Sequence, residues 1–92
     1  MEIKVVYYHL VVERDIPKLD TIIKNRIRKA ITEKLMVSPN IFGIPLRGTL
    51  ARCWKLRVGD WRIVYSMNNN VVKIWAIEHR EIVYDIVLKR LI

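Results

Sequence analysis

The chain has no glutamine, one cysteine, one phenylalanine, three glycines and three prolines in 92 residues. A single cysteine excludes an internal disulfide framework, and a reducing cytoplasm is the natural compartment for such a chain. Acidic and basic residues interrupt every apolar run, so no stretch approaches the roughly 20 residues needed to span a bilayer. The opening Met1-Glu2-Ile3-Lys4 is strand-like and lacks the pattern of a secretion signal. Histidine and cysteine do not cluster at metal-ligand spacing, so neither a metal nor another cofactor is expected. The missing glutamine is compatible with life at high temperature.

Acid is also scarce. Nine acidic residues face 17 basic ones, for a net charge of +8 and a pI near 10.0. The field of such a molecule attracts phosphate-rich or acidic partners. Half of the net charge lies between Arg47 and Arg62, where Arg47, Arg52, Lys55, Arg57 and Arg62 are opposed only by Asp60. The length fits one domain over residues 1–92, which would bury about two-thirds of the area exposed on unfolding.

The charge is concentrated by a hairpin. Arg52 to Val58 and Trp61 to Tyr65 alternate apolar and polar residues on either side of Gly59-Asp60, the signature of a two-residue turn. The register then pairs Val58 with Trp61, Arg57 with Arg62, Leu56 with Ile63 and Lys55 with Val64. Trp54, Leu56, Val58, Trp61, Ile63 and Tyr65 form an apolar face, while Cys53, Lys55, Arg57, Arg62, Val64 and Ser66 share the other. Like charges directly opposite are unfavourable by an amount comparable to the ~0.2–1 kcal/mol of ordinary cross-strand pairs. A bound polyanion would remove that repulsion, whereas a merely solvated face would let the flexible cations splay apart.

Elsewhere, Ile3 to Tyr8 predicts a strand, and a helical stretch from about Leu10 to Ile16 is expected to end or kink at Pro17. Asp20 is placed to cap a helix reaching about Val37, with Ile23, Ile27, Ala30, Ile31 and Leu35 on one apolar stripe. Ser38 to Gly48 reads as a loop, because it holds Pro39, Gly43, Pro45 and Gly48. Asn68-Asn69-Asn70 predicts a second turn, followed by a strand from Val71 to His79. A two-residue loop there puts Lys73, Trp75, Ile77 and His79 on the cationic face; a three-residue loop with a bulge reverses them. Glu81 to Ile92 has helical spacing, with basic residues near its end. The fold class is α+β: an N-terminal strand and two helices packed on a mainly antiparallel sheet, with a short C-terminal helix and the opposite sheet face left for function.

Pro45-Leu46-Arg47-Gly48, the run Trp54 to Tyr65, Ile77-Glu78-His79-Arg80 and Val83-Tyr84 together resemble the RelE/ParE superfamily of toxins from toxin-antitoxin systems. The likeness covers nearly the whole chain. It implies the compact fold of that superfamily and one of two activities: RelE-like members cleave messenger RNA on the ribosome, and ParE-like members poison DNA gyrase. Fold alone does not choose between them. The site residues point to the RelE-like branch, because the resemblance implies catalytic positions at Lys55, Arg57, Arg62, Arg80 and Tyr84. The chain departs in its shorter spacings around Gly59 and between Arg80 and Tyr84, and in Trp61 where a tyrosine is usual.

Chemistry with these residues needs no metal if the RNA 2′-hydroxyl attacks the adjacent phosphate and leaves a 2′,3′-cyclic phosphate. Arg62 and Arg80 suit stabilisation of the phosphorane, since guanidinium matches phosphate oxygens in a planar fork. Lys55 is the candidate base if Arg57 and Arg62 lower its pKa, and Tyr84 or His79 the candidate for the other proton. Arg47, Arg52, Lys73, Trp75 and His79 are candidate substrate-binding residues, with Trp75 available to stack on a base. Each has a plainer reading: Arg80 as a solvated cation, Tyr84 and Trp75 as packed aromatics, His79 as a structural histidine. A basic RNA-binding module without catalysis is the third functional class. The expected partners are the ribosome with its messenger RNA and a cognate antitoxin carrying an acidic or amphipathic segment, with no membrane.

Overall fold

The computed structural model describes residues 2–92. Its framework is a five-stranded mixed sheet of β1 (Lys4–Tyr7), β2 (Ile44–Pro45), β3 (Trp54–Val58), β4 (Trp61–Asn68) and β5 (Val71–His79), ordered β1-β5-β4-β3-β2. β1 runs parallel to β5, and the other junctions are antiparallel. No helix among the described residues is long and apolar enough to cross a membrane.

One sheet face carries the main helical layer. A wide, π-type turn at Val11–Asp15 and a 3-10 turn at Ile16–Lys18 follow β1, with Pro17 accommodated at the start of the tighter turn. Helix α1 (Thr21–Ala30) starts at Asp20, whose Oδ1 accepts a hydrogen bond from the Ile23 amide at 2.9 Å. It continues without a break through a second π-type turn, Ile31–Leu35, keeping Ile27, Ala30, Ile31 and Leu35 buried on one stripe. These side chains pack on Leu56, Val58, Ile63, Tyr65, Val72, Ile74 and Ile77 of the sheet.

The expected loop from Ser38 to Gly48 is more ordered than its prolines and glycines suggest. It holds the short helix α2 (Pro39–Phe42) and β2, which pairs Ile44 with Lys55 and Pro45 with Trp54. Two residues are too short to show alternation, and proline at a sheet edge is tolerated because no further strand needs its donor. The buried Tyr65 hydroxyl donates to the Pro39 carbonyl at 2.7 Å, fastening α2 to the sheet. Glycine is required at position 43 for space, since a Cβ there would overlap the Tyr65 hydroxyl and lie 2.8 Å from its ring carbon.

The opposite face is not left bare, contrary to expectation. Helix α3 (Val83–Leu91) packs Val83 and Val87 against Leu50, Cys53, Val64 and Ala76, forming a second, smaller core. Val64 and Ala76 are small or branched apolar residues on a face otherwise rich in cations, and they make the seat for this helix. Its end is fixed by Arg90, whose two terminal nitrogens reach the Asp15 carboxylate at 2.7 and 2.8 Å while one also donates to the Trp75 carbonyl at 2.9 Å.

Candidate RNA-binding and catalytic face

The β3–β4 hairpin has the expected register, with Arg57 opposite Arg62 and Lys55 opposite Val64. Gly59, with φ of +60°, makes the turn. Glycine at the first turn position matches the twist of a two-residue hairpin. Arg57 is exposed, and no carboxylate among the described residues lies within ion-pair distance of Lys55, Arg57 or Arg62. Arg62 bends back over the turn instead, its Nη1 donating to the Gly59 and Trp61 carbonyls at 2.9 Å each. These bonds fix the guanidinium; Glu78 is its register partner on β5, but that carboxylate is engaged by Lys18 at 2.8 Å, so Arg62 makes no ion pair among the described residues and keeps its other nitrogen donors available.

The next cation arrives by strand pairing. β5 ends at His79, and the Arg80 amide donates to the Asp60 carbonyl at 2.8 Å, so Arg62 and Arg80 converge on the same turn. The Arg80 side chain stands 3.9 Å from the Asp60 carboxylate, both groups largely exposed. Such a long, solvated contact holds the guanidinium only weakly. From above, the first turn of α3 brings Tyr84 to the same face, with the Lys55 ammonium 5.9 Å from the centre of its ring. Lys55, Arg57 and Arg62 thus share one face of the β3–β4 hairpin, with the Arg80 backbone bonded to its turn and Tyr84 set over Lys55.

The substrate-binding candidates divide. The second turn is a two-residue one, with Asn69 and Asn70 at φ of 50° and 66°. Ser66 therefore pairs with Lys73, which falls on the cationic face. Trp75 shares that face, its indole nitrogen donating to Ser66 Oγ at 2.9 Å. A bulge then intervenes, because Tyr65 pairs with Ile74 but Val64 with Ala76. The extra residue reverses the side of everything after it. Ile77 and His79 consequently belong to the face packed by α1, correcting the assignment of all four alternate residues to the cationic side. His79 packs edge-on against Trp61 at 5.9 Å and its Nδ1 faces the Glu81 carboxylate at 3.9 Å. Arg52 stacks over Trp75 at 5.6 Å, whereas Arg47 stands exposed just before the Gly48–Leu50 turn.

Cys53 is buried beneath α3, and burial pushes its thiol pKa up against the pull of Arg52, which suits packing and not attack. Two groups were missed from sequence. Tyr8 extends the β1–β5 ladder, its amide bonded to the Ile74 carbonyl at 2.9 Å, and its ring lies 5.2 Å from that of Trp75. The second is the Asp15–Glu78–Lys18–Arg90 cluster. Burial raises the Asp15 carboxyl, but hydrogen bonds from Arg90 and the Ile77 amide more than offset this and hold it below its ordinary range. Burial and the adjacent Asp15 push Glu78 up, while Lys18 pulls it down. No sequence signal identifies partners so far apart in the chain.

Comparison with known proteins agrees with this architecture. The profile of the ParE toxin of type II toxin-antitoxin systems matches residues 6–84. The toxin-antitoxin complex RelBE2 from Mycobacterium tuberculosis contains a chain 27% identical to this one, with a TM-score of 0.79 over 87% of this chain and 100% of that chain. A mutant of the E. coli toxin RelE in the free state has a TM-score of 0.79 at 23% identity, covering 100% of both chains. The RelB-RelE antitoxin-toxin complex from Methanococcus jannaschii has a TM-score of 0.68 at 23% identity, over 87% of this chain and 95% of that chain. Comparison with curated protein sequences returns no match. With 79 of its residues covered by the profile and its sheet and helices shared with RelE structures, the chain belongs to the ParE toxin family within the RelE/ParE superfamily, toxins of type II toxin-antitoxin systems.

Proposed function

We propose that this toxin, acting as one domain over residues 1–92, is a metal-independent endoribonuclease that cuts messenger RNA on the ribosome in the cytoplasm. The observation that carries the reading is the convergence of Arg57, Arg62 and Arg80 at one turn beside the Lys55–Tyr84 pair, with no carboxylate paired to Lys55, Arg57 or Arg62 among the described residues. Phosphate oxygens complete that arrangement. The RNA 2′-hydroxyl attacks the adjacent phosphorus, the P–O5′ bond breaks, and a 2′,3′-cyclic phosphate remains. Arg62 and Arg80 stabilise the charge that develops on the phosphorane oxygens. Lys55, when present as the neutral amine, accepts the 2′-hydroxyl proton and Tyr84 delivers one to the leaving 5′-oxygen, a pairing favoured by their shared face. His79, turned to the other side of the sheet, is left out of the proton transfer.

The superfamily also supports a second reading, inhibition of DNA gyrase. Induced expression followed by mapping of transcript ends and a supercoiling assay separates the two. Cuts within translated frames with unaffected supercoiling are the predicted result. Cleaved DNA complexes with intact transcripts would replace this reading by the gyrase one.

We further propose a cognate antitoxin with an acidic, amphipathic segment. Between α1 and the unpaired edge of β1 lies a groove of about 1060 Å³, lined by apolar residues including Ile3, Val5, Ile27 and Ile31 and rimmed by Lys24 and Arg28. Apolar floor and basic rim fit such a segment. Co-purification with a small acidic protein from an adjacent reading frame, lost on Lys24→Glu with Arg28→Glu at the rim, tests it.

A further inference from the structure

Away from the Arg62 end, the same sheet face carries a second cluster built differently. Trp75 lies against Ser66, and Tyr8 lies beside it with ring centres 5.2 Å apart and planes inclined by 31°. The Lys73 ammonium sits 4.2 Å from the centre of the Trp75 ring and 5.7 Å from that of Tyr8. The Arg52 guanidinium lies 5.6 Å from the Trp75 ring. Both aromatic rings are half-buried, Arg52 is exposed, and neither Arg52 nor Lys73 has an ion-pair partner among the described residues.

A packed aromatic pair ordinarily turns its faces into the core, and unpaired surface cations ordinarily extend into water. Here Trp75 is held half-buried by its Ser66 bond, Arg52 and Lys73 are drawn onto the rings without an ion-pair partner among the described residues, and Arg90, itself paired with Asp15, lies 5.9 Å from the centre of the Tyr8 ring. Aromatic faces next to uncompensated cations are the elements with which proteins hold single-stranded RNA: bases stack on the rings, and phosphates meet the cations. The cluster is also in line with the candidate reaction centre. Ser66 is four residues beyond Arg62 on β4, which at strand rise is roughly 13 Å along the same face.

We propose that Tyr8, Trp75, Lys73 and Arg52 form an RNA subsite, separate from the cutting residues, that stacks one unpaired base on the Trp75–Tyr8 surface and holds its flanking phosphates. This rests on the reading of the chain as an RNA-acting toxin. The subsite fixes the register of the strand, so that the base seated here determines which phosphate reaches Arg62 and Arg80. The base belongs either to the message or to an unpaired segment of ribosomal RNA.

The test is binding in a protein carrying Arg62→Ala and Arg80→Ala, so that failure of the cleavage chemistry leaves the readout intact. The probe is a short unstructured RNA oligonucleotide, compared with an abasic oligomer of equal length. Trp75→Leu should weaken binding about tenfold, the scale of one lost base stack, and Trp75→Phe should retain most of it. Arg52→Ala with Lys73→Ala, both at the surface and so independent of any folding defect in Trp75→Leu, should lower the dependence of log affinity on log salt by about 0.7 per cation. Titration against ribosomes without message and ribosomes carrying it identifies the source: a loss on both assigns ribosomal RNA, and a loss only with message present assigns the message. Equal affinity for the abasic oligomer, or an unchanged affinity and salt slope in the double cation variant, overturns the subsite.

Discussion

Arg57 and Arg62 stand opposite each other across the β3–β4 hairpin, and no carboxylate of the described chain is within ion-pair distance of either. Facing cations at that position cost stability in the free protein and are useful only when an anion arrives. Replacing Arg57 with threonine should therefore raise stability by up to about 1 kcal/mol, seen as a higher denaturant midpoint at unchanged slope. The same variant should bind RNA more weakly. A loss of stability would mean that the pair is already compensated within the chain.

The link between Asp15 and Arg90 is a different kind of charge pair, with side chains 0% and 7% exposed. Removing one partner leaves the other buried and uncompensated. Arg90→Met should cost about 3–5 kcal/mol, with Asp15→Asn in the same direction. Because the Asp15 carboxyl is held below its ordinary pKa, its stabilising effect is present above that ordinary value and disappears as pH falls through the lowered one. Acid denaturation of Asp15→Asn should accordingly be less steep than that of the wild type. Since Arg90 also anchors α3, Arg90→Met should loosen Tyr84 over Lys55 and reduce cleavage more than RNA binding.

Burial pushes the Tyr65 hydroxyl up from 10.0 to about 12. A group raised on folding stabilises below its unfolded pKa and loses that contribution as pH climbs through the folded value. Stability should fall between pH 10.0 and about 12 in the wild type by roughly 2–3 kcal/mol beyond any fall in Tyr65→Phe. Denaturant titrations of both proteins across that window measure the difference. No difference would place the hydroxyl in contact with water.

Gly43→Ala forces its new methyl group into the Tyr65 hydroxyl and should destabilise by about 1–3 kcal/mol. Combined with Tyr65→Phe, which removes the overlapping oxygen, the loss should be smaller than the sum of the two single losses. Additive losses would show that the two sites do not touch.

Legibility from sequence followed the range of the interaction. The hairpin register was readable because Gly59-Asp60 fixes it locally, and the continuous helix of α1 and the Ile31–Leu35 turn because Asp20 caps it and all five residues of its apolar stripe are local to it. β2 was not, since two residues carry no period, and it exists through its pairing with β3. The side on which Ile77 and His79 lie depended on one bulge opposite Val64 and Tyr65, to which no glycine or proline in either strand drew attention. α3 was visible as a helix, but its seat was not, because Cys53, Val64 and Ala76 look unremarkable until the strands align them. Tyr8 joins Trp75 only through the parallel β1–β5 junction, the longest-range pairing in the sheet.

The most direct measurement uses purified ribosomes programmed with a defined message and follows the cut end. Wild-type protein should release a fragment ending in a 2′,3′-cyclic phosphate, and a 2′-deoxy nucleotide at the cut position should abolish it. The Arg62→Ala and Arg80→Ala double variant should cut about a hundredfold or more slowly while still binding. Equal cutting by the double variant, or cutting of the 2′-deoxy message, would contradict the proposed chemistry.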